Sequence, residues 1–169
     1  MKTRSILLAT LFLITVSAVR AQTAMVNTSI NNFITAYLDV KNALAADDGI
    51  AAQGKAKILK AQVDAIQAKE MSPARQTIWK NYVDKLSFDS RHISESTSID
   101  HQREHFASLS KNMYAIVKAF KVNNMVIYWQ YCPMKKASWL SEKQAIENPY
   151  YGKEMPDCGK TKETLKAVK

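Results

Sequence analysis

The residues of this sequence with the most distinctive chemistry are its two cysteines, each of which lies close to a methionine. Met134 follows Cys132 by two positions, and Met155 precedes Cys158 by three. Thiolate and thioether sulfurs are soft ligands, which select Cu(I) or Ag(I) over hard cations. We therefore predict a soft-metal site with copper as the expected ion. Its predicted ligands are Cys132, Met134, Met155 and Cys158.

The same two cysteines have a second interpretation as a disulfide. Two is an even count, and disulfides are common in exported proteins. Bridging Cys132 and Cys158 would close a loop of about 25 residues and stabilise the fold by roughly 3.5 kcal/mol through the lost chain entropy of the unfolded state. Met134 and Met155 would then only fill the core, and the protein would be a non-catalytic interaction or adaptor module. Both interpretations remain open at this point.

Histidine is the next candidate ligand. His101 and His105 lie four residues apart, which places them on one face of a predicted helix. The run His-Gln-Arg-Glu-His has its glutamate one place too late for the metalloprotease motif. We predict His105, beside the apolar Phe106, as a further ligand of the sulfur site. His101 is predicted to be a surface residue, and His92 an isolated residue facing solvent.

Catalytic patterns are otherwise missing from the sequence. It contains no Cys-x-x-Cys, no Gly-x-Ser-x-Gly, no phosphate-binding loop and no glycine-rich dinucleotide turn. We therefore predict that the protein is not an enzyme. The formal net charge of +9 comes from basic residues spread along the chain, not clustered among aromatic residues. This distribution predicts solvated helix faces and no nucleic-acid partner.

Helical periodicity dominates the chain up to about residue 120 and must position these side chains. Apolar residues recur at steps of three and four in four successive segments, which predicts an all-α, up-down four-helix bundle. Thr28 or Ser29 is expected to cap the first helix, and Ser72 followed by Pro73 to begin the third. The apolar stripes include Ile30, Phe33, Ile34, Tyr37 and Leu44; Leu59 and Val63; Leu86 and Ile93; Phe106, Leu109, Met113 and Ile116.

From about residue 125 the composition changes. Residues 125–131 are apolar and aromatic, which predicts a short strand or extended segment. Three prolines and two glycines follow, and they predict an irregular, loop-rich cap on the bundle. The polar tail from residue 161 is expected to form a short helix or strand. We predict one domain over residues 22–169.

The N-terminus predicts a signal peptide over residues 1–21. Lys2 and Arg4 precede an apolar run at residues 6–18, and Val19-Arg20-Ala21 fits a cleavage site. The apolar run is short for a membrane span, which needs about 20 residues. We therefore expect a periplasmic or secreted protein with no stable membrane insertion after cleavage.

Several ordered motifs together resemble a known family. They are the segments at residues 99–110, 131–134, 139–141, 148–152 and 155–159. They resemble the bacterial family of exported helical domains termed domain of unknown function 3347. The resemblance extends over nearly the whole chain after residue 21 and implies a helical bundle.

The resemblance also supplies a context for the sulfur residues. Members of that family occur as small secreted proteins and attached to adaptor subunits of copper- and silver-type efflux pumps. The family's Cys-Pro-Met and Met-x-x-Cys-Gly motifs correspond to Cys132, Met134, Met155 and Cys158, with Pro156 where a leucine is usual. The resemblance therefore implies copper buffering or delivery to a metal-efflux component, and it implies no enzymatic activity.

Overall fold

A computed structural model of the chain describes the backbone of residues 2–168 and the side chains of residues 24–168. Four long helices account for most of the described residues, so the prediction of a mainly helical bundle is confirmed. The helices are α1 (Lys2–Ala45), α2 (Gly49–Ala65), α3 (Pro73–Glu95) and α4 (Ile99–Phe120). They are followed by the strands β1 (Ile127–Cys132), β2 (Ala137–Ser141) and β3 (Lys160–Leu165).

Local sequence explains where the helices begin and end. Ser72 accepts a hydrogen bond from the backbone N–H of Arg75, and Pro73 follows at the first helical position, as predicted. The predicted cap at Thr28 or Ser29 is wrong, because α1 runs through both residues. Their hydroxyls instead donate to backbone carbonyls one turn earlier, which leaves the helix intact.

The predicted apolar stripes form the core. Successive helices pack against each other in chain order, with α1 against α2, α2 against α3 and α3 against α4. Short connections of this kind allow each amphipathic helix to bury its apolar face on its neighbour. Most of the predicted stripe residues are at most 2% exposed: Ile30, Phe33, Ile34, Tyr37, Leu44, Leu59, Val63, Leu86, Ile93, Phe106, Leu109, Met113 and Ile116.

The C-terminal cap contains a three-stranded antiparallel sheet in the order β2-β1-β3. The all-α prediction therefore needs correction, although the predicted strand at residues 125–131 is confirmed as β1. Strand β2 lies where only loops were expected. It forms because the turn at residues 133–136 folds the chain back, so that Cys132 pairs with Ala137 and Trp129 with Leu140. Strand β2 then packs on α4.

Polar contacts fasten the cap to the helices. Arg103 on α4 donates from Nε to the carbonyl of Pro149 at 2.8 Å and from Nη2 to the carbonyl of Leu44 at 3.1 Å. Lys41 on α1 is fully buried, with its Nζ 3.2 Å from Glu142 and 3.6 Å from Glu147. A buried ammonium requires such partners, so these carboxylates tie the cap to α1.

The predicted signal peptide, residues 1–21, falls outside the residues whose side chains are described and stays a prediction. Within the described part of the chain, no helix has both the length and the apolar character that a membrane crossing requires.

Candidate metal centre

The three histidines of the chain converge at the junction of α3 and α4. Each offers a ring nitrogen, and these nitrogens all lie within 4.8 Å of one another. The rings of His92 and His105 stack with centroids 4.4 Å apart, and His101 meets His105 edge-on at 4.7 Å. The prediction that His92 is isolated is therefore wrong, and His101 is a member of the cluster as well as a partly exposed residue.

Helix geometry explains this convergence. His101 and His105 are one turn apart on α4, so they share a face. His92 is near the end of α3, and the short connection at residues 96–98 brings the end of α3 beside the start of α4. Residues nine positions apart in sequence thus become neighbours. We call His92, His101 and His105 the histidine cluster.

A buried carboxylate supports the cluster from the core side. Asp89 is only 3% exposed, and its Oδ1 lies 3.1 Å from Nδ1 of His105. A carboxylate can only accept a hydrogen bond, so Nδ1 of His105 carries the proton of this bond and Nε2 is the nitrogen available to a metal ion. A carboxylate behind a histidine is the usual outer support of a metal ligand. The other oxygen of Asp89 has no partner among the described residues.

Two exposed side chains border the cluster on its solvent side. The Phe88 ring lies 4.3 Å from the ring of His92 and 5.6 Å from that of His105, and Phe88 is 49% exposed. The guanidinium of Arg91 is 3.5 Å from Nε2 of His92 and also pairs with Glu95 at 3.8 Å. Arg91 therefore adds positive charge at the solvent side of the cluster, partly offset by Glu95.

The donor set suits a transition-metal ion. Neutral imidazole binds copper, zinc, nickel and iron, with metal–nitrogen distances of about 2.0–2.1 Å for zinc. Two nitrogens at that distance from one tetrahedral ion would be about 3.4 Å apart, so binding would draw the three rings slightly together. Three protein ligands leave a fourth position for water or an exchanging ligand.

The predicted sulfur residues form a second group in the cap. Cys132 and Cys158 are both free, with their sulfur atoms 3.6 Å apart. Cys132 ends β1 and is fully buried, whereas Cys158 is partly exposed. We call Cys132 and Cys158 the sulfur pair. No disulfide links them in this structure.

The two sulfurs differ in their surroundings. Burial raises the pKa of Cys132, but hydrogen bonds from the Lys135 backbone, the Asn148 side chain, Cys158 and the Met134 backbone outweigh it, and the pKa falls below its usual value. The bond from the Lys135 N–H to the sulfur is 3.4 Å long. The hydrogen bond to Cys132, followed by burial, raises the pKa of Cys158. Of the two thiols, Cys132 is therefore the one that loses its proton more readily.

Two residues bring Cys158 to Cys132. Asn148 is fully buried, donates from Nδ2 to the Cys158 carbonyl at 2.7 Å, and donates from its backbone N–H to the carbonyl of Pro156 at 2.9 Å. Gly159 packs so closely that an added Cβ would lie 2.9 Å from the Trp139 ring. The Asn-Pro-Tyr-Tyr-Gly and Cys-Gly motifs therefore position a turn against the sheet.

The remaining predicted ligands occupy different places. Met155 is partly buried in the same turn, where its carbonyl accepts a hydrogen bond from the Cys158 N–H at 3.4 Å. Met134 is 65% exposed at the tip of the β1–β2 hairpin. The described side-chain contacts of His105 are with the other two histidines, Phe88 and Asp89, and so the structure places it outside the sulfur pair.

One comparison with known proteins identifies the family. The family described as "Protein of unknown function (DUF3347)" matches residues 33–125. The chain belongs to this family. The DUF3347 match spans more than half of the chain and includes the whole histidine cluster together with Asp89, but it ends before the sulfur pair. No curated protein and no solved structure matches the chain significantly.

Sequence reasoning missed Asp89 and the grouping of the histidines. A partial signal was present, because Asp89 and His92 are three residues apart and so lie on one face of α3. The pairing of that face with the His101–His105 face depends on how α3 and α4 pack, which periodicity alone does not specify.

Proposed function

We propose that this protein is a metal-binding domain whose principal site is the histidine cluster, and that copper is the ion it holds. The observation that carries the proposal is the convergence of three imidazoles in front of a buried carboxylate. Asp89 fixes the tautomer of His105 before any ion arrives, so part of the ordering required for binding is already present.

The donor chemistry supports copper over other ions. For nitrogen ligands, affinity among the divalent first-row metals is greatest for Cu(II). Two sulfurs 3.6 Å apart are also close to the separation of about 3.8 Å expected for two thiolates on one tetrahedral ion. A chain with imidazole and thiolate groups is equipped for both oxidation states of copper, because the softer Cu(I) prefers sulfur.

The biological role that fits this chemistry is buffering copper or delivering it to an efflux component in the periplasm or outside the cell. The histidines are partly exposed, and a three-ligand site leaves one position open. Both properties favour transfer by ligand exchange over permanent retention. The alternative role is an interaction module in which the cysteines form a structural bridge.

The test is a competition titration of untagged protein with Cu(II) against a chelator of known affinity. The chain has no histidine outside the cluster, so any histidine-dependent signal reports this site alone. We expect one Cu(II) per chain, nitrogen coordination in electron paramagnetic resonance, and at least a 100-fold loss of affinity in His105→Ala. The exposed Asp84→Asn change, on α3 and away from the cluster, is the control. Wild-type affinity in a variant lacking all three histidines would refute the proposal.

The sulfur pair is tested separately as a Cu(I) site. Reduced protein is titrated with Cu(I) against a Cu(I)-specific chelator, with Cys132→Ser, Cys158→Ser double-variant protein in parallel. We expect the double variant to lose Cu(I) binding and to retain Cu(II) binding. Met155→Leu and Met134→Leu then test the thioethers, and the larger loss is expected for Met155, which shares the turn with Cys158. Equal Cu(I) affinity in the double variant would exclude the sulfur ligands.

A further inference from the structure

The sulfur pair has a chemistry that does not depend on any metal. We propose that Cys132 and Cys158 form a dithiol that exchanges with external low-molecular-weight disulfides in a fixed order, in which Cys158 reacts first and Cys132 resolves the intermediate. The inference stands whether or not the histidine cluster binds copper.

Accessibility sets the order of reaction. Cys132 is 0% exposed, because β1 lies between two strands and its end is covered by the turn that carries Cys158. Cys158 is partly exposed, and it follows two exposed residues, Pro156 and Asp157. An external disulfide can therefore reach the sulfur of Cys158 and not that of Cys132 while the chain is folded.

Hydrogen bonding prepares Cys132 for the second step. The backbone N–H of Lys135 points at its sulfur from the hairpin turn at 3.4 Å. N–H donors stabilise a thiolate, which is the nucleophilic form of cysteine. The only sulfur within 4 Å of Cys132 among the described hydrogen-bonding contacts is that of Cys158, so the buried nucleophile is directed at its neighbour.

The reaction balances as two exchanges. Cys158 passes its proton to the Cys132 sulfur 3.6 Å away and attacks one sulfur of the external disulfide. The external S–S bond breaks, and the small thiolate that leaves takes up that proton. The Cys132 thiolate then attacks the Cys158 sulfur, breaks the mixed disulfide and releases the second small thiol. The protein has lost two electrons and two protons, and the external disulfide has gained both.

The required motion is small and local. The sulfurs must approach from 3.6 Å to about 2.05 Å. Cys132 is held in the central strand, whereas Cys158 lies in a turn that rests on the Asn148 side chain. We therefore expect the turn to supply the movement, with the sheet and the helices unchanged.

The experiment uses metal-free, reduced protein mixed with glutathione disulfide, quenched with acid and analysed by intact-mass spectrometry. Wild-type protein should lose two hydrogens per chain with no lasting adduct. Cys132→Ser should accumulate one glutathione at Cys158. Cys158→Ser should react at least ten-fold more slowly than Cys132→Ser, since its remaining thiol is buried.

Two outcomes would overturn the proposal. One is equal glutathionylation rates in the two single variants. The other is a wild-type chain that keeps a glutathione adduct and forms no internal bridge. Urea-unfolded Cys158→Ser serves as the control, and it should react as fast as unfolded Cys132→Ser, which would show that the fold protects Cys132. Chelator is present throughout, so failure here leaves the copper proposal untouched.

Discussion

The two reactive groups of this chain are built in opposite ways. The histidine cluster stands on two packed helices, α3 and α4, with a buried aspartate behind it. The sulfur pair joins a strand end to a turn, and its position depends on one asparagine and one close-packed glycine. The DUF3347 match contains the first group and not the second.

This difference concerns how each site can move. Side chains on packed helices keep their spacing because the helices are part of the core. A sulfur carried on a turn can shift by an ångström or two with little effect on the core. The histidine cluster is therefore suited to holding an ion at fixed geometry, and the sulfur pair to a reaction in which two atoms must approach. Mutations should therefore be able to affect one group and leave the other unchanged.

The largest effect is expected from Asn148→Ala. The change leaves the buried N–H of Tyr150 and the Cys158 carbonyl without their partners, at 2.8 and 2.7 Å in the native fold. Two orphaned groups should lower the free energy of unfolding by about 2–4 kcal/mol. In addition, Cys158 and Cys132 should no longer react with glutathione disulfide in a fixed order. Chemical denaturation and glutathione kinetics measure the two effects, and exposed Asn124→Ala is the control. A stability loss accompanied by weaker Cu(II) binding in folded protein would show that the groups are coupled.

The next effect comes from Glu142→Gln, which removes a partner of buried Lys41. Breaking an ion pair with one fully buried member should lower the free energy of unfolding by about 2–3 kcal/mol, less than for a wholly buried pair because Glu142 is 26% exposed. Glu154→Gln, on an exposed carboxylate, is the control. An unchanged denaturation midpoint would mean that Lys41 is satisfied by Glu147 alone.

The destabilisation caused by Glu142→Gln should depend on pH. Burial raises the pKa of Glu142, but hydrogen bonds from Asn42 and the attraction of Lys41 outweigh it, so the folded pKa lies below the usual 4.5. Stability from this carboxylate is present above its unfolded pKa and is lost as pH falls through the folded value. As the pH falls, wild-type protein should therefore lose the stability that the Glu142 carboxylate contributes, whereas Glu142→Gln lacks that contribution at every pH. If the free energy of unfolding fell in parallel with pH for the two proteins, this prediction would be contradicted.

For the histidine cluster, Asp89→Asn should weaken Cu(II) binding by about 10- to 100-fold, which is about 1.4–2.8 kcal/mol. Asparagine keeps the shape of aspartate but removes the charge that supports His105. The reaction of the sulfur pair with glutathione disulfide should be unchanged. Asp84→Asn controls for the charge change on α3. If Asp89→Asn retained full affinity, the buried aspartate would be a structural residue only.

Sequence patterns anticipated the parts of the molecule that follow local rules. The four helices, the Ser72–Pro73 start and β1 could be predicted because each depends on a period or a cap within a few residues. Strand β2 was missed because its pairing depends on the turn after Cys132, where Lys136 adopts a left-handed conformation with φ of 54°. The approach of the two cysteines was anticipated from their motifs, but their unequal burial was not, since it depends on the sheet order.

The histidine cluster shows the same limit at the level of packing. Spacing placed His101 and His105 on one helix face, but it could not show that the face of α3 carrying Asp89 and His92 packs beside it. Such a contact is set by side-chain packing between helices. Ligands contributed by one helix can therefore be found from sequence, and ligands shared between helices generally require the fold.

The smallest expected effect on stability comes from Gly54→Ala, which tests whether the sulfur pair can react without unfolding of the helices. Gly54 is exposed within α2, and an added Cβ would meet nothing within 4 Å. Gly54→Ala should raise the free energy of unfolding by about 0.5–1 kcal/mol through helix propensity. If the turn carrying Cys158 opens locally, the glutathione reaction should keep its wild-type rate, because the reaction does not need the helices to separate. A rate that falls by about two- to five-fold, in proportion to the added stability, would mean that exchange requires global unfolding. The sulfur pair would then be as firmly tied to the core as the histidines are.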